Sequence, residues 1–349
     1  MPEESIEHIA FDELNKKAIS QPLIKNIYTA DPSAHVFNGK IYIYPSHDVD
    51  AGDAFDDLGS HFAMEDYHVI SMDSPTSEAK DHGLALHVKD VPWAEKQMWA
   101  PDAAEKNGKY YLFFPAKDYQ GVFRIGVAVS DYPTSPFIPQ PEAVKKSFSI
   151  DPAVFKDDDR SYYMYFGGIW GGQLQRWRNG SFNAAQPESP TAHLPKDNEP
   201  ALCAKVAKLT DDLLQFAEDA KDVVILDGNG KPLLQGDTER RFFEASWMHK
   251  YKGKYYFSYS TGDTHFICYA IGESPYGPFK YAGKILNPVV GWTSHHSIVE
   301  FEGEWYLFYH DSSLSKGVTH LRSIKVAKIE YDENGFIKTI EPYGDLKVL

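Results

Sequence analysis

Residues 29–46 read TADPSAHVFNGKIYIYPS: a short strand opened by Ala-Asp-Pro, a polar Asn38-Gly39 turn, and a second strand dense in aromatic and β-branched residues. Asn-Gly between two such runs is the strongest short-range hairpin signal, because both central residues of the tight turn need positive φ. Nearly the same phrase returns four times: WAPDAAEKNGKYYLFFPA from Trp99, IDPAVFKDDDRSYYMYFGG from Ile150, FEASWMHKYKGKYYFSYS from Phe243 and SHHSIVEFEGEWYLFYHD from Ser294. Behind these hairpins lies material for further strands: YHVISMDS from Tyr67, VAVSDYPTSPF from Val127, CAKVAKLTDD from Cys203, YAIGESPYGPF from Tyr269 and LRSIKVAKIEYDENGFI from Leu321. Five repeats of four antiparallel strands predict an all-β, five-bladed β-propeller.

The copies start about 50 to 90 residues apart, more than the ~40–50 usual for propeller repeats, and the surplus is expected as loops. Two stretches hold most of it, residues 47–66 and about 171–240, and long loops on a rigid scaffold commonly wall a binding site. Residues 1–22 read as a short amphipathic extension (Ile6, Ile9, Phe11, Leu14) packing on the propeller, with residues 23–349 as the single catalytic domain.

The formal net charge of -15, from 35 Lys+Arg against 50 Asp+Glu, repels polyanions, and no basic stripe offsets it. Nucleic acid and anionic membrane surfaces are thereby disfavoured as partners, and a neutral substrate is expected. No apolar run reaches the ~20 residues that span a bilayer. The first residues carry acids where a secretory leader needs positive charge, so the expectation is a cytoplasmic protein or one from which a leader has been removed. Cys203 and Cys268 stand far apart in unrelated contexts and read as buried free thiols.

The residue heading each hairpin is Asp31, Ala100, Asp151, Glu244 and His295. In a propeller the innermost strands line one axis, so these positions converge on a common space. Asp-Pro alone is an ordinary turn opener, but Glu244 precedes Ala and still occupies the same place in the repeat. Carboxylates gathered together repel unless chemistry uses them, and glycoside hydrolysis does: one acid protonates the leaving oxygen while a second carboxylate attacks or activates water. A third acid can hold the first protonated.

The motifs TADPSAHVF, WAPDAA, SIDPAVF, FFEASWMHK and SHHSIVEFEGEWYLFYHD, in this order, resemble glycoside hydrolase family 43, the five-bladed β-xylosidases and α-L-arabinofuranosidases. The resemblance runs from about Tyr28 to the C-terminus. It implies an inverting mechanism with Asp31 as general base, Glu244 as general acid and Asp151 keeping Glu244 protonated and aimed. It further implies that Trp99 and Ala100 form a sugar-facing wall, that Arg322 in HLRSIKV contacts the sugar, and that His295 lies near an axial ion, often calcium, structural if bound. No cofactor is implied for the chemistry. Calcium prefers oxygen ligands, so water would have to fill most of its shell.

His47, at the exit of the first hairpin, is expected at the pocket rim. The acidic run DVDAGDAFDD, residues 48–57, lacks calcium-loop spacing and reads as a solvated charge run. The expected activity is exo-acting release of terminal β-1,4-xylosyl or α-L-arabinofuranosyl residues from neutral plant cell-wall oligosaccharides. Arabinanase activity and a non-catalytic sugar-binding propeller are the rival readings.

Overall fold

The computed structural model describes residues 9–185 and 189–348, and among them one α-helix, Phe11–Lys17, and three short 3-10 turns interrupt an all-strand chain. Five antiparallel hairpins form at the five repeated phrases. Four turn through two residues of positive φ: Asn38 (52°) with Gly39 (76°), Asn107 (54°) with Gly108 (76°), Lys252 (47°) with Gly253 (77°), and Glu302 (51°) with Gly303 (83°). That twist matches the right-handed twist of the flanking strands, which is why X-Gly recurs there.

The innermost strands of blades one to five are Tyr28–Phe37, Asp102–Lys106, Ala153–Lys156, Glu244–Tyr251 and His296–Phe301. Each contacts the innermost strands of the two neighbouring blades, and the fifth returns to the first, closing a ring. Apolar clusters fill the spaces between blades. Ile41, Ile43 and Ile70 of blade one meet Phe308 and Ile324 of blade five, and Phe113 and Ile125 of blade two meet Met164 and Phe166 of blade three.

The four-strand repeat holds for blades one and three, whereas blades two and four carry five strands and blade five carries three. The additions are short: Ala94–Lys96 pairs with Lys109–Asp118 in blade two, and Ile225–Leu226 runs parallel to Phe279–Leu286 on the rim of blade four. Blade five lacks a fourth strand because the chain beyond Ile329 turns away to blade four, where Ile340 bridges Leu286. The N-terminal segment occupies the vacated edge: Leu23 N–H donates to the Ile324 carbonyl and Ile19 N–H to that of Pro342. In the preceding helix Leu14 is buried in the largest core cluster, with Ile9 and Phe11 packed against it; Ile6 lies outside the described residues.

Candidate active site

Asp31 and Glu244 head their strands at the same irregularity. The ladder of blade one slips between Ala30 and Ser33, and that of blade four between Glu244 and Trp247. Asp31 (φ 49°), Asp151 (φ 57°) and Ala245 (φ 63°) take left-handed backbone conformations there. Such conformations cost free energy in non-glycine residues, and bulges of this kind re-aim side chains beside functional sites. Here they turn three carboxylates from three blades into one cavity of about 680 Å³.

The cavity is also lined by Trp99, Ala100, His295 and Arg322, so seven of the eight residues singled out from sequence share one space. His47 does not. It lies on blade one with its Nδ1 2.5 Å from Asp66 Oδ1, because alternation along the strand points it to the opposite face from Ser46, the residue that reaches Asp31.

Asp31 is fully supported. Ser46 Oγ donates to its Oδ2 at 2.6 Å, Arg322 Nη1 to its Oδ1 at 3.0 Å, and its own N–H donates to His310 Nδ1 at 2.9 Å. Burial alone would raise its pKa, but Arg322, followed by His295, His310 and the Ser46 bond, outweighs burial and holds it at about 2. His310, itself pushed down to about 3 mainly by burial, is neutral at ordinary pH, and burial lowers His295 as well, which leaves Arg322 as the effective cation. Arg322 is fixed in turn by Asp48: Nε and Nη2 donate to the two carboxylate oxygens at 2.8 and 2.7 Å, and Nη1 also donates to Thr293 Oγ1 at 3.0 Å. Its chief protein contacts are thus with carboxylates. Asp48 is the exception to the reading of residues 48–57 as a solvated charge run, since Asp50, Asp53, Asp56 and Asp57 are exposed. Asp48 is buried, and Phe55, Asp56 and Asp57 line the pocket.

Glu244 has the reverse environment. Its carboxyl accepts no hydrogen bond among the described residues. Burial pushes its pKa well above the usual carboxylate range, with the charges of Asp151 and Asp31 adding and Arg322 opposing. Burial raises Asp151 as well, with Asp31 adding. Asp151 Oδ2, however, accepts the N–H of Ala245 at 2.8 Å. A bond to the charged form favours that form, so Glu244 takes the first proton of the pair. Gly168 backs the acid: a Cβ there would come within 3.2 Å of Glu244 Cβ and 2.6 Å of Ile150.

Trp99 stands on the wall, its Nε1 donating to the Phe62 carbonyl at 2.8 Å. Gly59 (φ +82°) passes so close that a Cβ would lie 2.7 Å from the indole. The lining also holds Trp170 stacked on Trp292, with ring centroids 5.5 Å apart, and Phe243 edge-on to both. His61 and His320 complete the rim. Sequence reading missed Trp170, Trp292, Asp48 and His310. The first two sit in glycine-flanked loops, WGG and GWT, outside the repeated phrase. His310 lies inside it, at the far end of the fifth hairpin.

Among the described residues His295 Nε2 is buried without a hydrogen-bond partner, 3.8 Å from Asp151 Oδ2, while its Nδ1 accepts the N–H of His296. A calcium ion on the axis would find one imidazole nitrogen and no carboxylate cage, so the residues fit only a hydrated ion anchored at that point.

Residues 21–337 match the family described as Glycosyl hydrolases family 43. The chain is 62% identical over 328 residues to a xylosidase/arabinosidase 43A of Humicola insolens, covering 92% of this chain and 99% of that one. It is 60% identical over 320 residues to a xylosidase/arabinosidase of Bacteroides ovatus, covering 91% and 97%. Among solved structures it superposes with TM-score 0.90 at 62% identity, covering 93% and 98%, on a β-xylosidase/α-arabinofuranosidase from a compost microbial metagenome. That enzyme was crystallised with xylotriose in a calcium-free form.

Proposed function

The chain belongs to glycosyl hydrolases family 43, and from that premise we propose that it removes terminal β-1,4-xylosyl and α-L-arabinofuranosyl residues from xylan-derived and arabinoxylan oligosaccharides, with inversion. The observation that carries this reading is the opposite environment of two carboxyls in one pocket. Inversion needs a base that is ionised and an acid that is protonated at the same pH.

Asp31, held ionised by Arg322 and Ser46, takes a proton from the attacking water. Glu244 gives its proton to the departing sugar oxygen as the C–O bond breaks, and the oxygen of the water forms the new bond from the opposite face. Asp151 raises the proton affinity of Glu244 and, through the Ala245 N–H, holds the backbone from which Glu244 projects. The aromatic lining, Trp99 together with Trp170 and Trp292, presents flat apolar faces to a pyranose or furanose ring and excludes water from the reacting atoms. The two sugars offer similar hydroxyl patterns to one small pocket, which supports dual activity. Calcium, where bound, would stand beside His295 and supply positive potential near the acids.

Product analysis on xylo-oligosaccharides, arabino-oligosaccharides and arabinoxylan, run in parallel, tests the substrate assignment. Xylose and arabinose released singly from chain ends are expected. Internal cleavage of arabinan would favour an arabinanase, and oligosaccharide binding without turnover would favour a non-catalytic propeller.

A further inference from the structure

Away from the pocket, blade one holds a second cluster of chemically competent side chains. His47, Asp66 and His68 each offer one donor atom, and these three atoms lie within 4.8 Å of one another. The register that sets Ser46 opposite Tyr67 brings His47 beside Asp66, and His68, two residues on, shares their face. The two imidazole centroids are 4.6 Å apart. Each Nδ1 meets a carboxylate: His47 with Asp66 Oδ1 at 2.5 Å, and His68 with Asp81 Oδ1 at 2.9 Å and Oδ2 at 3.1 Å. No protein group hydrogen-bonds to either Nε2 among the described residues, and the four side chains are 16–21% exposed, open enough for an ion to enter.

His68, whose Nδ1–H is held by Asp81, presents the lone pair of Nε2, which is the tautomer and orientation found in metal sites, while at His47 the ion would take the place of the proton shared between Nδ1 and the Asp66 carboxylate. Two imidazoles and a carboxylate suit a borderline transition ion, whereas calcium and magnesium prefer an all-oxygen shell. We propose that His47, Asp66 and His68 form a site for a divalent transition metal such as Zn²⁺, with Asp81 orienting His68 and water completing the shell. The cluster sits where residues 49–65 leave and rejoin the sheet, between the strands Lys40–Asp48 and Asp66–Met72. That segment carries Phe55, His61 and Phe62 to the pocket, and Asp48, which clamps Arg322, directly follows His47. A bound ion would tie both ends of the pocket wall to one point.

The test uses the full chain after dialysis against EDTA, titrated with Zn²⁺ by calorimetry and with Co²⁺ by visible absorption, with melting followed in parallel. One equivalent of Zn²⁺ is expected, with a raised melting temperature and Co²⁺ d–d bands. His68→Ala and His47→Ala should abolish all three, His295→Ala should retain them, and Asp81→Asn should weaken binding by about 10- to 100-fold. Circular dichroism of the metal-free proteins checks folding, and if His68→Ala does not fold, Asp66→Asn carries the same expectation. The proposal is overturned if the wild-type chain binds no Zn²⁺, if folded His68→Ala binds it as tightly, or if only His295→Ala loses it. None of these readouts depends on glycosidase activity.

Discussion

Asp31 and Glu244 head equivalent strands of blades one and four, face the same cavity and are both withdrawn from bulk water, yet their surroundings differ at every contact. Asp31 has a guanidinium, a hydroxyl and a backbone-anchored histidine. Glu244 has two carboxylate neighbours, opposed only by the more distant charge of Arg322, and no hydrogen-bond donor among the described residues. Desolvation acts on both in the same direction, so the difference lies entirely in the partners: where they compensate, the carboxyl stays ionised, and where they do not, it keeps its proton. One fold position, repeated around a ring, thus yields one ionised and one protonated carboxyl, the pair that the proposed mechanism requires. The comparison also separates stability from activity, since the charge on Asp31 is favourable to the folded state and a charge on Glu244 is not.

Removing either carboxyl should have the largest effect. Asp31→Asn is expected to lower kcat by about 10³-fold or more on xylobiose and on p-nitrophenyl β-xyloside alike, since both need an activated water. Glu244→Gln should cost as much on xylobiose but only about 10- to 100-fold on the aryl glycoside, whose leaving group departs without a proton. Steady-state kinetics on the two substrates reads the difference. Equal losses for Glu244→Gln would remove it from the acid role.

Asp151→Asn deletes one anionic neighbour of Glu244. The acid then ionises more readily, so the alkaline limb of kcat/KM should move to lower pH, with a loss of about 10- to 100-fold at neutral pH. An unmoved limb would leave Asp151 a merely structural residue. Arg322→Lys acts on the other corner. A lysine cannot chelate Asp48 and reach Asp31 together, so burial of Asp31 goes less opposed and the acid limb should move to higher pH, with a smaller loss of activity at neutrality.

The smallest effect is on stability. Asp31 titrates near 2 in the folded state against 3.8 as the ordinary value, a difference equivalent to about 2–3 kcal/mol. Because the folded value is the lower one, this stabilisation is complete above about pH 4 and is lost as pH falls through about 2. Glu244 has the opposite sign: its raised pKa means that ionisation disfavours the fold as pH rises. Denaturant melts at pH 7 should show Asp31→Asn destabilised and Glu244→Gln unchanged or stabilised.

The ring and its acids were legible because the repeated hairpin fixes both. Asn-Gly and Lys-Gly dictate the turns, and counting back from each turn finds Asp31, Asp151 and Glu244 at one position. Strand numbers per blade were less legible, since the short additions Ala94–Lys96 and Ile225–Leu226 depend on which edge happens to be free. Asp48 was hidden in an acidic run that reads as solvated, and only the fold brings it to Arg322 across 274 residues of chain. Trp170 and Trp292 belong to loops without a repeat to align them. His47 was misplaced because a one-residue step along a strand reverses the face, a distinction that its neighbouring loop obscured.

The most direct test of the asymmetry is a carboxyl ¹³C NMR titration of protein labelled at glutamate, with the Glu244→Gln spectrum subtracted to isolate one resonance. A Glu244 signal that stays in its protonated position through neutral pH, well after the surface glutamates have ionised, is the predicted result. A Glu244 that ionises together with the surface glutamates would contradict the account, because no proton would then remain for the departing sugar.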